Sequence, residues 1–124
     1  MIMTKINDFK PFKALDDSDV IETIGLKTTG TEEVSFARAV IKPKRKTIKH
    51  YHDFLEIYFI EKGDGIIKIY DEVKNIKNGD SILIPKKSWH MVENIGDGDL
   101  VIWCICVPAF SESQTVLYLT KGHI

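Results

Sequence analysis

From Val34 onward the chain is a series of short β-branched or aromatic runs, cut off by turn-forming residues roughly every 8–12 positions, which leaves little room for helix. Strands are predicted at residues 34–41, 48–52, 55–60, 65–70, 72–76, 81–84, 90–94, 100–107 and 116–120. Between them, Lys62-Gly63-Asp64-Gly65, Asn78-Gly79-Asp80, Pro85-Lys86-Lys87-Ser88 and Gly96-Asp97-Gly98-Asp99 supply residues that tolerate positive φ or pre-set a turn. Neighbouring strands are expected to pair mostly as antiparallel hairpins. So many short strands in 124 residues must cover or close their edges, and the fold class is all-β, a sandwich or barrel.

A chain of this length holds one hydrophobic core, and no repeat or Gly/Ser-rich linker divides it. Residues 1–33 read as an N-terminal arm: 10–19 mixes turn and helix formers, and 20–26 is an extra edge strand suited to packing on a partner subunit. Residues 34–120 form the main part of this single domain.

With 44% apolar and 28% charged residues the composition is that of an ordinary globular chain. A formal net charge of −1 lacks the basic footprint of a nucleic-acid binder. The longest apolar run, 100–107, is far short of a membrane span, and residues 1–10 lack the apolar core of a signal peptide. The expectation is a cytoplasmic protein with neither nucleic acid nor membrane as partner. Cys104 and Cys106, two apart on one strand face, have poor disulfide geometry and read as reduced, small buried hydrophobes outside any site.

Three of the four histidines are spaced as a metal site on strands requires. Residues i and i+2 share a strand face with Cα atoms about 6.6 Å apart, so His50 and His52 can converge on one ion. Glu56 keeps their parity, and a turn near Asp53-Phe54 would bring its carboxylate beside the imidazoles. His90, aimed by the preceding Pro85-Lys86-Lys87-Ser88 turn, supplies the fourth donor. Three imidazoles and a carboxylate suit one divalent transition metal (Mn, Fe, Co, Ni, Cu or Zn) and leave positions open for water or substrate. His123, near the end of the chain, falls outside this pattern and reads as an exposed tail residue.

The stretch His50-x-His52-xxx-Glu56-xxxxxx-Gly63 resembles the first motif of the cupins, and Gly79-xxxxx-Pro85-xxxx-His90-xxx-Asn94 resembles the second. The resemblance implies a small single-domain cupin with that family's double-stranded β-helix, or jelly roll. It also implies a homodimer joined through outer sheet faces and the strand at 20–26. Lys44 and Lys87 stand where the family motifs carry glycine, and a lysine is accommodated there if φ is negative.

Phe54 and Tyr58 share the parity of Glu56 and either line the barrel or pack beside the ligands, with Tyr58 the candidate catalytic residue. Glu93 is expected to face away from His90. Arg38 lies in an apolar strand and is expected to point outward, since an inward guanidinium would need a buried partner. Lys42, Lys44, Arg45, Lys46 and Lys49 lead into His50, and Lys86 and Lys87 into His90. They form either a positive rim that steers an anionic small molecule or a solvated lysine-rich loop. Cupins resembling this chain include dioxygenases, isomerases, lyases, decarboxylases and binding modules. The expected function is a metal-dependent enzyme of the dioxygenase, isomerase or lyase type acting on a small anionic or polyhydroxylated metabolite. The alternative is a non-catalytic cupin that binds or senses such a ligand.

Overall fold

Alternation of inward apolar and outward polar residues along short strands builds two antiparallel sheets in the computed structural model, which describes residues 1–118. In chain order the strands are β1 (Phe12–Lys13), β2 (Asp19–Ile24), β3 (Ser35–Ile41), β4 (His50–His52), β5 (Leu55–Lys62), β6 (Asp64–Ile69), β7 (Glu72–Lys77), β8 (Ser81–Ile84), β9 (His90–Asn94), β10 (Leu100–Val107) and β11 (Thr115–Leu117). One sheet has the order β1-β2-β3-β10-β5-β8 and the other β11-β4-β9-β6-β7. The fold is a two-sheet jelly roll. Among the described residues, helix is confined to short 3-10 turns at Ile6–Asp8 and Glu112–Gln114, and no helix is long and apolar enough to cross a membrane.

Strand pairing departs from the hairpin expectation. Only β1–β2, β2–β3 and β6–β7 pair with their sequence neighbours. The other ladders join strands remote in sequence, with β10 seated between β3 and β5 and β9 between β4 and β6. The turns that look like hairpin turns carry the chain across from one sheet to the other. Gly63 shows why one of them must be glycine: its φ is +101°, and an added Cβ would lie 2.7 Å from the Asp99 carbonyl oxygen and 2.9 Å from Leu100 Cα.

The strand at 20–26 is shorter than expected, and it is not the sheet edge, because Phe12 and Lys13 fold back onto it as β1. The strand expected at 116–120 begins at Thr115; its last two positions, and His123, lie outside the described residues.

Inward side chains of both sheets meet in one core, with Ile60, Leu100, Val92, Ile84 and Ile102 almost fully buried. Arg38 does face outward, its guanidinium 3.7 Å from Glu61. Asn94, from the second motif, is buried and ties the core's rim together. Its side-chain amide donates to the carbonyls of Ile41 and Gly98, both at 2.8 Å, and its oxygen accepts from the Gly96 N–H at 2.9 Å.

The two lysines at motif-glycine positions overturn the expectation of negative φ. Lys44 has φ +63° and Lys87 has φ +62°. The left-handed turn geometry persists and the lysine is strained into it, because the turns must still deliver the chain into β4 and β9.

Candidate metal centre

β4 and β9 pair with His50 directly opposite His90, so the two imidazoles meet across the strands with ring centroids 4.2 Å apart. His52, two residues on and facing the same way, brings its ring to within 4.7 Å of His50. The nearest ligand atoms of the three histidines all lie within 4.8 Å of one another, so this buried cluster can hold a metal ion. Glu56 enters from β5 in the other sheet. Its Oε1 lies 3.5 Å from both His52 Nε2 and His90 Nε2.

The second nitrogen of each ring is already committed. His50 Nδ1 is 2.6 Å from the Ile48 carbonyl, and His90 Nδ1 is 2.8 Å from the Ser88 carbonyl. Carbonyls only accept, so both Nδ1 atoms carry the proton. His52 Nδ1 is 2.8 Å from Thr115 Oγ1, which itself donates to the Ser111 carbonyl and so accepts from the ring. All three neutral rings therefore turn an Nε2 lone pair toward the centre, an arrangement that fixes tautomer and orientation as metal-ligating histidines require.

Those atoms have nothing to bind in the protein. His50 Nε2, His90 Nε2 and Glu56 Oε1 are buried without a hydrogen-bond partner. A group of acceptors buried without donors is costly unless a cation lies among them. Donors about 2.1 Å from a shared ion and about 90–109° apart sit about 3.0–3.4 Å from each other. The 3.5 Å contacts of Glu56 are close to that spacing.

Electrostatics point the same way. Burial drives His52 down to about 4 and also lowers His50, keeping both neutral ligands at pH 7. For Glu56 burial acts to raise the pKa, but His90, His52 and His50 outweigh it and hold the carboxyl at about 2. Burial would lower His90, yet the adjacent Glu56 carboxylate raises it above its ordinary value.

Of the aromatic residues flanking Glu56, Phe54 stacks on the His52 ring at 4.4 Å and 12°, while Tyr58 lines the cavity with its ring 6.1 Å from that of His90. Burial pushes the Tyr58 phenol well above its ordinary value, so it stays protonated. Apart from the site's polar groups, the cavity wall is largely apolar, with Val20, Ala39, Val92, Ile102 and Phe110. Glu93 is on the outer face of β9, where alternate residues are half exposed.

None of the seven basic residues that precede His50 and His90 lines the cavity. Lys42 pairs with Asp99, Lys86 and Lys87 lie near Asp53, and Lys49 sits over the rings of Trp89 and Tyr118. They form a surface layer, so the structure favours the solvated-loop reading over the steering rim.

Three residues of the site escaped the sequence reading. Thr115 holds His52. Cys106, set aside as a buried hydrophobe, sits directly across the β5–β10 ladder from Glu56 and approaches its Oε2 at 3.4 Å. Asp16, in the loop before β2, places Oδ2 3.6 Å from His50 Nε2. The only local signal for Asp16 is the Asp-x-Ser spacing of an Asx turn, which says nothing of a histidine on another strand.

The chain is 34% identical over 116 residues to the uncharacterized protein MJ1618 of Methanocaldococcus jannaschii, covering 93% of each. Among solved structures it resembles a predicted oxalate decarboxylase of Thermotoga maritima, with TM-score 0.75 and 20% identity, covering 86% of this chain and 99% of that one. It also resembles the polyketide cyclase RemF of Streptomyces resistomycificus, with TM-score 0.81 and 13% identity, covering 98% and 88%. At those identities the structural likenesses speak for the fold. Residues 37–107 match the profile of the cupin domain, and the chain belongs to the cupin family.

Proposed function

We propose that His50, His52, His90 and Glu56 hold one divalent transition metal, and that the chain is a metal-dependent enzyme of the dioxygenase, isomerase or lyase type acting on a small metabolite. The observation that carries this reading is the convergence of His50 Nε2, His90 Nε2 and Glu56 Oε1, buried acceptors with no donor among them. Nitrogen and oxygen donors in this ratio suit Mn, Fe, Co, Ni, Cu or Zn. When bound, such an ion supplies Lewis acidity toward substrate oxygens.

The chain's own residues do the rest. The Nδ1 contacts to Ile48, Thr115 and Ser88 hold the rings in one tautomer. Tyr58, a cavity-facing phenol that keeps its proton, is a donor to a substrate oxygen rather than a base. The largely apolar wall offers few partners for charge, which counts against a strongly anionic substrate.

A homodimer and a cytoplasmic setting belong to the same reading. The outer face of β5, β8 and β10 exposes Phe59, Leu83 and Val107 beside a Phe36–Trp103 stack, an apolar surface that a second copy could cover. Both cysteines are free thiols, as a reducing compartment would keep them. Light scattering that returns a monomer would remove the dimer.

The primary test is elemental analysis of the purified parent and a His50→Ala/His52→Ala variant, followed by incubation of the reconstituted parent with pooled metabolites. Near-stoichiometric metal lost in a folded variant, together with consumption of a metabolite, supports the enzyme. Metal binding and ligand retention without conversion supports the alternative, a binding or sensing cupin. No metal after reconstitution refutes the site.

A further inference from the structure

Residues 14–18 join β1 to β2 in a closed loop, with the Ser18 carbonyl accepting from the Ala14 N–H at 2.8 Å and the Ala14 carbonyl from the Asp17 N–H at 2.9 Å. The Asp16 carbonyl accepts from the Ile48 N–H at 2.8 Å, which fastens the loop to the chain just ahead of β4. Within the loop, the N–H and O–H of buried Ser18 both donate to Asp16 Oδ1, at 3.0 and 2.6 Å.

One carboxylate oxygen is thereby occupied and the other is free and directed. Asp16 Oδ2 lies 3.6 Å from His50 Nε2, an atom that is 1% exposed as a side chain and has no hydrogen-bond partner. Because His50 Nδ1–H is committed to the Ile48 carbonyl, a neutral His50 turns a lone pair toward this carboxylate. Two acceptors held face to face by separate anchors need a cation between them. The separation nearly equals that of Glu56 Oε1 from His52 and His90.

We propose that Asp16 is a second carboxylate ligand of the centre, delivered by the β1–β2 loop rather than by a barrel strand. The inference rests on the metal-binding reading above. A second carboxylate in the set would balance the charge of a divalent ion inside an apolar cavity, whereas the histidines and Glu56 alone leave one positive charge there. The N-terminal hairpin becomes part of the site.

The test is titration calorimetry of Mn²⁺ into the metal-stripped full chain, with Asp16→Asn and Asp17→Asn beside the parent, and electron paramagnetic resonance of the bound Mn(II). Asn keeps the oxygen that Ser18 binds, and its amide can donate to His50 Nε2. Asp16→Asn is therefore expected to melt at a higher temperature than the parent without metal, while binding Mn²⁺ about 10–100-fold more weakly and giving an altered Mn(II) spectrum. Asp17→Asn, exposed on the same loop, is expected to match the parent. Parent-like affinity in Asp16→Asn overturns the proposal, as does weaker binding with an unchanged spectrum, which would reduce Asp16 to a distant charge. A parent that binds no metal removes the metal-binding reading and this inference together, whereas a parent that binds and an Asp16→Asn that matches it removes this inference alone.

Discussion

Cys106 Sγ donates to Glu56 Oε2 at 3.4 Å, leaving Oε1 to face the histidines. The thiol can only act as donor: burial, then the Glu56 charge, raise its pKa, so it keeps its proton throughout the physiological range. A side chain that holds the back oxygen fixes the angle at which the front oxygen is presented.

Cys106→Ala, which removes the donor with the loss of one heavy atom, is expected to lower Mn²⁺ affinity about tenfold, the lower end of what loss of a ligand's supporting hydrogen bond costs. Cys106→Ser, which restores a donor, is expected to recover most of it. Calorimetry on both reads the difference, and equal losses would show that the thiol acts through packing instead.

The metal-stripped protein is expected to lose stability as pH falls from 7 to 4. His52 titrates at about 4 in the folded chain and near 6.5 unfolded, so between those values the unfolded state binds more protons and stability falls with pH. That difference amounts to roughly 3 kcal/mol by pH 4. His50 acts with the same sign. His90 opposes them: its raised pKa adds stability that is fully present below 6.5 and lost as pH rises through the folded value. Glu56, held at about 2, contributes stability above 4.5 that is lost only as pH falls toward 2. Denaturation midpoints at intervals from pH 7 to 4 test this balance, and His52→Gln is expected to flatten the slope between 6.5 and 4.

Asn94→Ala is expected to destabilise the fold by roughly 2 kcal/mol, since it strands the buried Ile41 carbonyl, at about 1–3 kcal/mol, while the part-buried Gly98 carbonyl and Gly96 N–H can turn to water. The lost bonds are those to Ile41, Gly98 and Gly96. Urea melts of the metal-free protein report it, and a loss below about 1 kcal/mol would mean that water replaces the amide.

The sequence reading recovers β8, β9 and β10 to the residue, because each is a short apolar run between turn residues. It overextends β4, since the Ile48 N–H goes to the Asp16 loop instead of a ladder. Pairing is illegible for a physical reason: β10 contacts β3 and β5 through a jelly-roll crossover, and nothing local to any of these strands encodes the partner. The same limit governs the site. His50 and His52 are read from parity on one strand, whereas Cys106, Thr115 and Asp16 matter through contacts across the barrel that no spacing rule reaches.

Lys87 offers the cleanest stability gain. At φ +62° its Cβ costs about 1–2 kcal/mol relative to a right-handed conformation, while glycine there loses about 0.5–1 kcal/mol in extra chain entropy. Lys87→Gly is therefore expected to stabilise the fold by about 0.5–1 kcal/mol. The backbone bonds that fix the turn survive the change: Lys87 N–H donates to the His52 carbonyl at 2.8 Å, and its carbonyl accepts from Tyr70 O–H at 3.0 Å. The ammonium is 3.9 Å from Asp53 on an exposed surface, where an ion pair contributes little. Lys87→Ala keeps the Cβ and is expected to gain nothing, which separates backbone strain from loss of charge. Lys44→Gly, at φ +63°, should behave as Lys87→Gly does, and Gly63→Ala should do the opposite by more, since its Cβ meets backbone at 2.7 Å. Parallel melts of the four variants decide it: a Lys87→Gly no more stable than Lys87→Ala would show that the turn relaxes around lysine and stores no strain.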